Sequence, residues 1–260
     1  MLNSIVPLKI LGVIPARYAS SRFPGKALFS LAGKPMLQHV WERAMEARYL
    51  TSVVIATDDE RIRGAAEEFG ARVTMTRSDH ASGTDRVAEA ASASTASIIV
   101  NIQGDEPMLD PAAIDAAVLG LLEDDDAPMG TLKKLIDREE DIRDPNVVKV
   151  VTDRAGNAIY FSRSTIPYVR DSCEAIYYKH IGLYVYRREF LLNYPDLPVG
   201  PLEKAERLEQ LRALENGFRI RVTETDYESI GVDTPEDARR VLALYERSAS
   251  LNKERMAVTD

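Results

Sequence analysis

The stretch GVIPARYASSRFPGK (Gly12–Lys26) places Arg17, Arg22 and Lys26 on one loop constrained by Pro24 and Gly25, directly after an apolar run. The chain as a whole is acidic, with 33 Lys and Arg against 41 Asp and Glu and a net charge of -8, yet its first acidic residue is Glu42. An even spread would put about six acidic residues ahead of that point. A solvated basic face is the plain reading of a charge run. On a negative protein, a local positive field is also a means of gathering a small polyanion. Guanidinium forks grip phosphate oxygens in pairs and an ammonium acts as a point charge, so the loop has the chemistry of a triphosphate cradle. It is not a Walker A loop: Ser20 stands where the first glycine belongs, and Ala27 replaces the hydroxyl that would hold magnesium. A G-x-G-x-x-G dinucleotide fingerprint is absent after the first apolar run.

Reacting phosphates call for a metal, and the segments QGDEP and GVDTPED offer Asp105, Glu106 and Asp233. Magnesium is held by one or two carboxylates together with the substrate's own phosphates. Taken singly, each aspartate also reads as a helix cap or turn residue, Asp233 in particular because it precedes Thr234. Cys173 is the sole cysteine, which excludes an intramolecular disulfide and a cysteine-based zinc cluster. His39 falls off the apolar stripe of its helix and reads as surface; His80 reads as loop architecture.

The elements that must position these residues alternate. KILGVIP, SVVIAT, ARVTMT and SIIVNI read as strands, each followed by a polar loop and then a helix. Leu37, Val40, Trp41, Ala44 and Met45 form one helical face; ERIRGAAEEF and PAAIDAAVLGLL are further helices, the latter capped by Asp110 with Pro111 at its first position. This order predicts an α/β fold, a Rossmann-like and mainly parallel sheet flanked by helices, of the nucleotidyltransferase type. The basic loop, DHASGTDR and QGDEP then share the carboxyl edge of the sheet, where open α/β folds bind ligands. The second half changes character and predicts a smaller mixed lobe. VVKVVT and AIYFSR read as a hairpin, and KHIGLYVY alternates, with Ile181, Leu183 and Val185 facing a core and His180, Tyr184 and Tyr186 facing away from it. GPLEKAERLEQLRALENG reads as one helix, FRIRVTET as a strand, and the segment after Thr234 as a C-terminal helix that frays from about Asn252.

Taken together, PARYASSRFPGK, TRSDHASGTDR, NIQGDEP, YFSRSTIP, KHIGLYVYR, LEQLRALE and GVDTPED resemble, in this order, the CMP-Kdo synthetases (CTP:3-deoxy-manno-octulosonate cytidylyltransferases). The first block alone indicates only a sugar nucleotidyltransferase; the later ones distinguish the octulosonate family from its sialic-acid relative. The resemblance implies that the anomeric hydroxyl of Kdo attacks the α-phosphorus of CTP, with pyrophosphate leaving, for lipopolysaccharide biosynthesis. It implies that Arg17, Arg22 and Lys26 neutralise the triphosphate, that Asp105 and Asp233 hold Mg2+, and that a second magnesium rides mainly on the phosphates. Arg77, Ser82, Arg86 and Gln103 would serve the cytidine half. Arg163, His180, Tyr184, Glu209 and Gln210 would serve the sugar acid. The same resemblance implies one nucleotidyltransferase domain over 1–260, with 9–135 mainly for CTP, 146–225 mainly for sugar binding and dimerisation, and a frayed tail over 252–260. A homodimer follows from it, with Tyr177, Tyr178 and Tyr186 packing an interface or roofing the sugar site.

A sequence pI near 5.1 argues against a non-specific nucleic-acid binder. No apolar stretch reaches bilayer-spanning length, and the reading is a cytoplasmic protein. Rival readings are cytidylyl transfer to an amino-octulosonate or a sialic acid, with YVRDSCEAIYY at the far end of the sugar, and a non-catalytic nucleotide-binding module on the same fold. An NAD-dependent enzyme ranks last, for want of its fingerprint.

Overall fold

The structure, a computed structural model, describes residues 8–19, 23–171 and 174–257; Arg22 and Cys173 lie outside the described residues. The first apolar run becomes β1 (Ile10–Ala16). Its side chains alternate between two cores: Ile10, Ile14 and Ala16 enter one, Leu11 and Val13 the other. A strand buried on both faces needs such a continuous apolar run, which is why it carries no polar alternation.

From β1 the chain makes a small two-stranded ribbon, β2 (Ser30–Leu31) and β3 (Lys34–Pro35), and enters α1 (Met36–Met45). β4 (Ser52–Thr57), α2 (Glu60–Glu68), β5 (Arg72–Met75), α3 (Gly83–Ser92), β6 (Ile98–Asn101) and α4 (Pro111–Leu122) follow. The second half contributes β7 (Met129–Leu135), α5 (Glu139–Arg143), β8 (Lys149–Thr152), β9 (Ala158–Ser162), β10 (Tyr178–Arg187) and α6 (Arg188–Asn193). The chain closes with α7 (Pro201–Glu206), α8 (Leu211–Glu215), β11 (Ile220–Glu224) and α9 (Pro235–Ala257).

The main sheet runs β11-β7-β10-β6-β1-β4-β5. β1 pairs in parallel with both β4 and β6, β4 with β5, and β11 with β7. Only β10 runs against its neighbours in this row. The hairpin β8–β9 joins through β8 to β10. Because the chain moves from β1 out to β4 and β5 and then returns to β6 on the other side of β1, a crevice opens between the carboxyl ends of β1 and β6. In open α/β sheets that switch point is the ligand site.

Several local expectations change. β7 was not legible as a strand, although it pairs with both β10 and β11. The face of β10 assigned away from the core carries a second core: Tyr186 is buried there with Phe161, Leu191 and Tyr194. Tyr186 therefore does not face a dimer partner. His39 is not on the surface; it is 8% exposed, its Nε2 lies 2.7 Å from the Leu31 carbonyl oxygen, and its ring packs on Tyr245 of α9. A helix from the far end of the chain supplies that cover. Met45, read as part of the apolar face of α1, is exposed. Pro35 ends β3 and stands as the N-cap of α1. The helical backbone of α9 continues to Ala257, past the expected fraying point.

Candidate active site

The crevice at the switch point is a cleft of about 410 Å³, and Arg17, Lys26, Gln103, Asp105 and Asp233 all line it. Its floor is made by a close approach. A Cβ on Gly104 would stand 2.8 Å from the Pro15 carbonyl oxygen, so only glycine lets the turn after β6 lie against the end of β1. On the basic loop, Gly25 adopts φ +71° and its N–H donates to the Tyr18 carbonyl at 2.9 Å, which turns the following Lys26 inward.

Lys26 Nζ stands 2.7 Å from Asp105 Oδ2 and 3.1 Å from Asp233 Oδ1. Burial lowers the pKa of this ammonium, and the two carboxylates outweigh that effect, leaving it raised above 10.5. Two acids far apart in sequence thus converge on one point, and a cation occupies it. Asp233 arrives there because the Val232 N–H donates to the Asp105 carbonyl at 2.9 Å. Behind it, Thr234 and Asp237 form the cap of α9, and Tyr245 on that helix donates to the Pro107 carbonyl at 2.6 Å.

Glu106 has turned away from the cleft. It is buried, it accepts from the Tyr227 hydroxyl at 2.8 Å, and burial raises its pKa while Ser229 and Tyr227 partly offset the shift. This brace ties the Asp105 turn to the segment that leads from β11 to Asp233. Tyr227→Phe leaves the buried carboxyl short of one donor, an expected cost of about 1–3 kcal/mol. A fall in melting temperature of a few degrees, checked by calorimetry, is the expected result; an unchanged melting temperature would show that the brace carries no stability.

Arg17 is committed to the DHASGTDR loop: its Nη2 donates to the His80 and Ser82 carbonyls at 2.8 and 2.9 Å. Ser82 is the N-cap of α3, where its Oγ accepts from the Asp85 N–H and the Asp85 side chain accepts from the Ser82 N–H. The Ser82 hydroxyl also lies 3.3 Å from Glu209 Oε1.

A second, more enclosed pocket of about 150 Å³ adjoins the cleft and shares Pro15, Gly83 and Gln103 with it. Tyr184, Glu209 and Gln210 line it. Glu209 and Gln210 come into it because the expected single helix is broken. α7 ends at Arg207 in a left-handed conformation, φ 52°, and the chain turns through Leu208–Gln210 before α8. The break is pinned by Arg212, whose guanidinium pairs with Glu203 at 2.6 Å, and by the Tyr194 hydroxyl, which donates to the Glu209 carbonyl at 2.7 Å. Burial raises the pKa of the Glu209 carboxyl and of the Tyr184 phenol.

The remaining expected site residues stand elsewhere. Arg77 is solvent-exposed, on a wide outer groove of about 920 Å³ that also touches Ser82 and Glu209. Arg86 is 0% exposed, paired with Asp58 at 3.0 Å and with the Thr76 hydroxyl, so it supports the loop from beneath. Arg163 donates to the Glu206 carbonyl at 2.8 Å and the Pro145 carbonyl at 3.0 Å, which occupies its guanidinium with main chain.

His180 lies beside Tyr184 and Phe161, its Nε2 2.9 Å from Thr131 Oγ1. The Thr131 hydroxyl also faces the Ile181 and Leu183 carbonyls, which only accept, so the Thr131 oxygen accepts from Nε2–H and Nδ1 keeps its lone pair. Burial lowers the His180 pKa from 6.5 to about 3, so the ring is neutral at pH 7. Between those two values the unfolded chain binds the extra proton and the folded chain does not. Stability is then complete above about pH 6.5 and falls as the pH drops toward 3. His180→Gln should flatten the melting temperature between pH 7 and 4; an equal slope in both proteins would exclude His180 as its source.

A cation-bearing cleft at the switch point of a parallel sheet, without the dinucleotide fingerprint, defines the class as an α/β nucleotidyltransferase. The cytidylyltransferase family model matches residues 11–224. A 3-deoxy-manno-octulosonate cytidylyltransferase of Solibacter usitatus is 69% identical over 244 residues, 94% of this chain and 97% of that protein. One from Geobacter sulfurreducens is 56% identical, covering 90% of this chain and 98% of its own length. Among solved structures, a CMP:2-keto-3-deoxy-manno-octonic acid synthetase complexed with CTP superposes with a TM-score of 0.89 at 46% identity, over 92% of this chain and 99% of that one. The chain belongs to the 3-deoxy-manno-octulosonate cytidylyltransferases, within the cytidylyltransferase family. A 4-diphosphocytidyl-2C-methyl-D-erythritol synthase of Anaerococcus prevotii, at 12% identity and a TM-score of 0.61, shares the fold alone.

Proposed function

We propose that this protein transfers CMP from CTP to the anomeric hydroxyl of Kdo, releasing pyrophosphate, as a step toward lipopolysaccharide in the cytoplasm. The observation that carries the reading is the convergence of Asp105 and Asp233 on one cation-filled point in the switch-point cleft. The hydroxyl oxygen forms the new bond to the α-phosphorus, the bond to the β-phosphate oxygen breaks, and the hydroxyl proton is released. No covalent intermediate on the protein is required, so catalysis is positioning and charge neutralisation.

Asp105 and Asp233 fit a hard divalent cation: both are carboxylates, both already face a positive charge, and triphosphate oxygens would complete the shell. Bound there, Mg2+ would supply Lewis-acid activation of the attacking hydroxyl. Lys26 would leave the carboxylates and follow the phosphates, where its charge meets the departing pyrophosphate. Arg17 orders the DHASGTDR loop, and by the family resemblance it would, with Arg22, add positive charge beside the triphosphate. Gln103 stands at the junction of cleft and pocket, suited to the meeting of nucleotide and sugar. Arg77, Ser82 and Arg86 flank the loop assigned to the cytidine half. Tyr184, Glu209 and Gln210 line the sugar pocket, with His180 behind them. Arg163 would have to exchange its main-chain partners to meet a sugar carboxylate. Homodimerisation is supported by exposed apolar side chains in the second half, Ile159, Tyr168 and Ile176 among them.

The test mixes the purified protein with CTP, Mg2+ and Kdo and follows pyrophosphate. Release that requires the sugar establishes the transfer. Release only with an amino-octulosonate or a sialic acid moves the substrate, and silence with every sugar acid despite CTP binding leaves a binding module.

A further inference from the structure

The 150 Å³ pocket contains two unmatched amides. Asn101, at the end of β6, is 3% exposed, and Gln210 is 4% exposed. Asn101 Oδ1 and Gln210 Nε2 are buried without a hydrogen-bond partner, and both residues line this pocket. A buried polar atom left unpaired costs about 1–3 kcal/mol, so it persists where something else satisfies it. Two other polar groups of the lining are already spent on the main chain, Gln103 Nε2 on the Gly182 carbonyl at 3.0 Å and the Tyr194 hydroxyl on the Glu209 carbonyl at 2.7 Å.

The missing partners have a definite chemistry. Asn101 Oδ1 needs a donor and Gln210 Nε2 needs an acceptor, and a hydroxyl is both. No lysine or arginine is among the lining residues, and the one acid, Glu209, is held toward its neutral form by burial. An ionised carboxylate has no counter-charge inside. A volume of this size holds about five waters, which suits a few carbons of a polyol and not a whole eight-carbon sugar acid.

We propose that Asn101 is a specificity-determining residue: with Gln210 it reads tail hydroxyls of the sugar acid in this uncharged pocket, leaving the carboxylate and anomeric centre toward Arg17 and Lys26. The inference rests on the transfer reading given above. Asn101 sits in the strand SIIVNI and opens the motif NIQGDEP, yet no role attaches to it in the sequence, because residue type does not record what its amide meets in the fold.

The experiment measures kcat/KM for pyrophosphate release with Kdo and with analogues bearing hydrogen in place of a single tail hydroxyl. The wild type should lose at least tenfold on one analogue. Asn101→Leu should raise the KM for Kdo at least tenfold, leave the KM for CTP within twofold, and treat Kdo and that analogue alike. Asn101→Asp, which keeps an acceptor oxygen in place, should retain the discrimination. If the wild type turns over Kdo and all the analogues within twofold, or Asn101→Leu discriminates as the wild type does, Asn101 does not read a hydroxyl. Should the leucine variant fail to fold, Asn101→Ala is put to the same comparison, and discrimination kept by it would overturn the inference. A wild type silent with Kdo would instead overturn the transfer reading and this inference with it.

Discussion

Asp105→Ala should lower pyrophosphate release by about a thousandfold or more, with CTP binding in the absence of metal kept. The expectation comes from what Asp105 does in the cleft. It is one of two carboxylates facing a single point, and the other, Asp233, is positioned by a hydrogen bond to the Asp105 backbone. Removing the side chain leaves that backbone contact in place. The scaffold should therefore stand while the proposed Mg2+ site loses one of its two carboxylates. Lewis-acid activation is worth several kcal/mol, and about 4 kcal/mol is a thousandfold in rate. The Asp105 side chain is also 31% exposed and opens on the cleft, so its loss creates no closed cavity and little instability is expected. Single-turnover release with wild-type speed would exclude Asp105 from the cation site. Loss of CTP binding without metal would instead point to collapse of the cleft.

Lys26→Met should have two opposite effects. Pyrophosphate release should fall about 10²–10³-fold, the usual range for losing one positioned charge or donor at a developing negative charge. Cation uptake by the nucleotide-free protein should strengthen about tenfold, read as Mn2+ binding by electron paramagnetic resonance. The ammonium at 2.7 and 3.1 Å is the group that a metal must displace, and without it two carboxylates face each other across the same point. A weaker or unchanged Mn2+ affinity would mean that Lys26 does not compete with the metal. The pair of readouts separates a lysine that only binds phosphate from one that also holds the place proposed for the metal.

These expectations depend on placements with very different legibility. The basic loop and the QGDEP turn could be assigned to one sheet edge because parallel strands separated by helices must present their carboxyl ends together. The span of α4 was legible for the same local reason: Asp110 accepts from the Ala112 N–H and Pro111 stands at its first position. His39 was not, because its partner is the C-terminal helix. Glu106 and Asp105 are neighbours with the same chemistry, yet one is buried against Tyr227 and the other opens on the cleft. Adjacent residues on a turn point in different directions, and no residue type records which.

The sequence by itself determined the α/β class, the anion-seeking loop, and the inventory of acids and hydroxyl-bearing groups near it. Those follow from periodicity, caps and charge, which are local. The tertiary structure alone decided that Lys26 lies between Asp105 and Asp233, that Arg86 and Arg163 are spent within the protein, and that the helix after Gly200 breaks to deliver Glu209 and Gln210. The physical reason is competition. Each polar side chain takes the partner that folding brings within hydrogen-bond distance, and for these residues that partner comes from far along the chain.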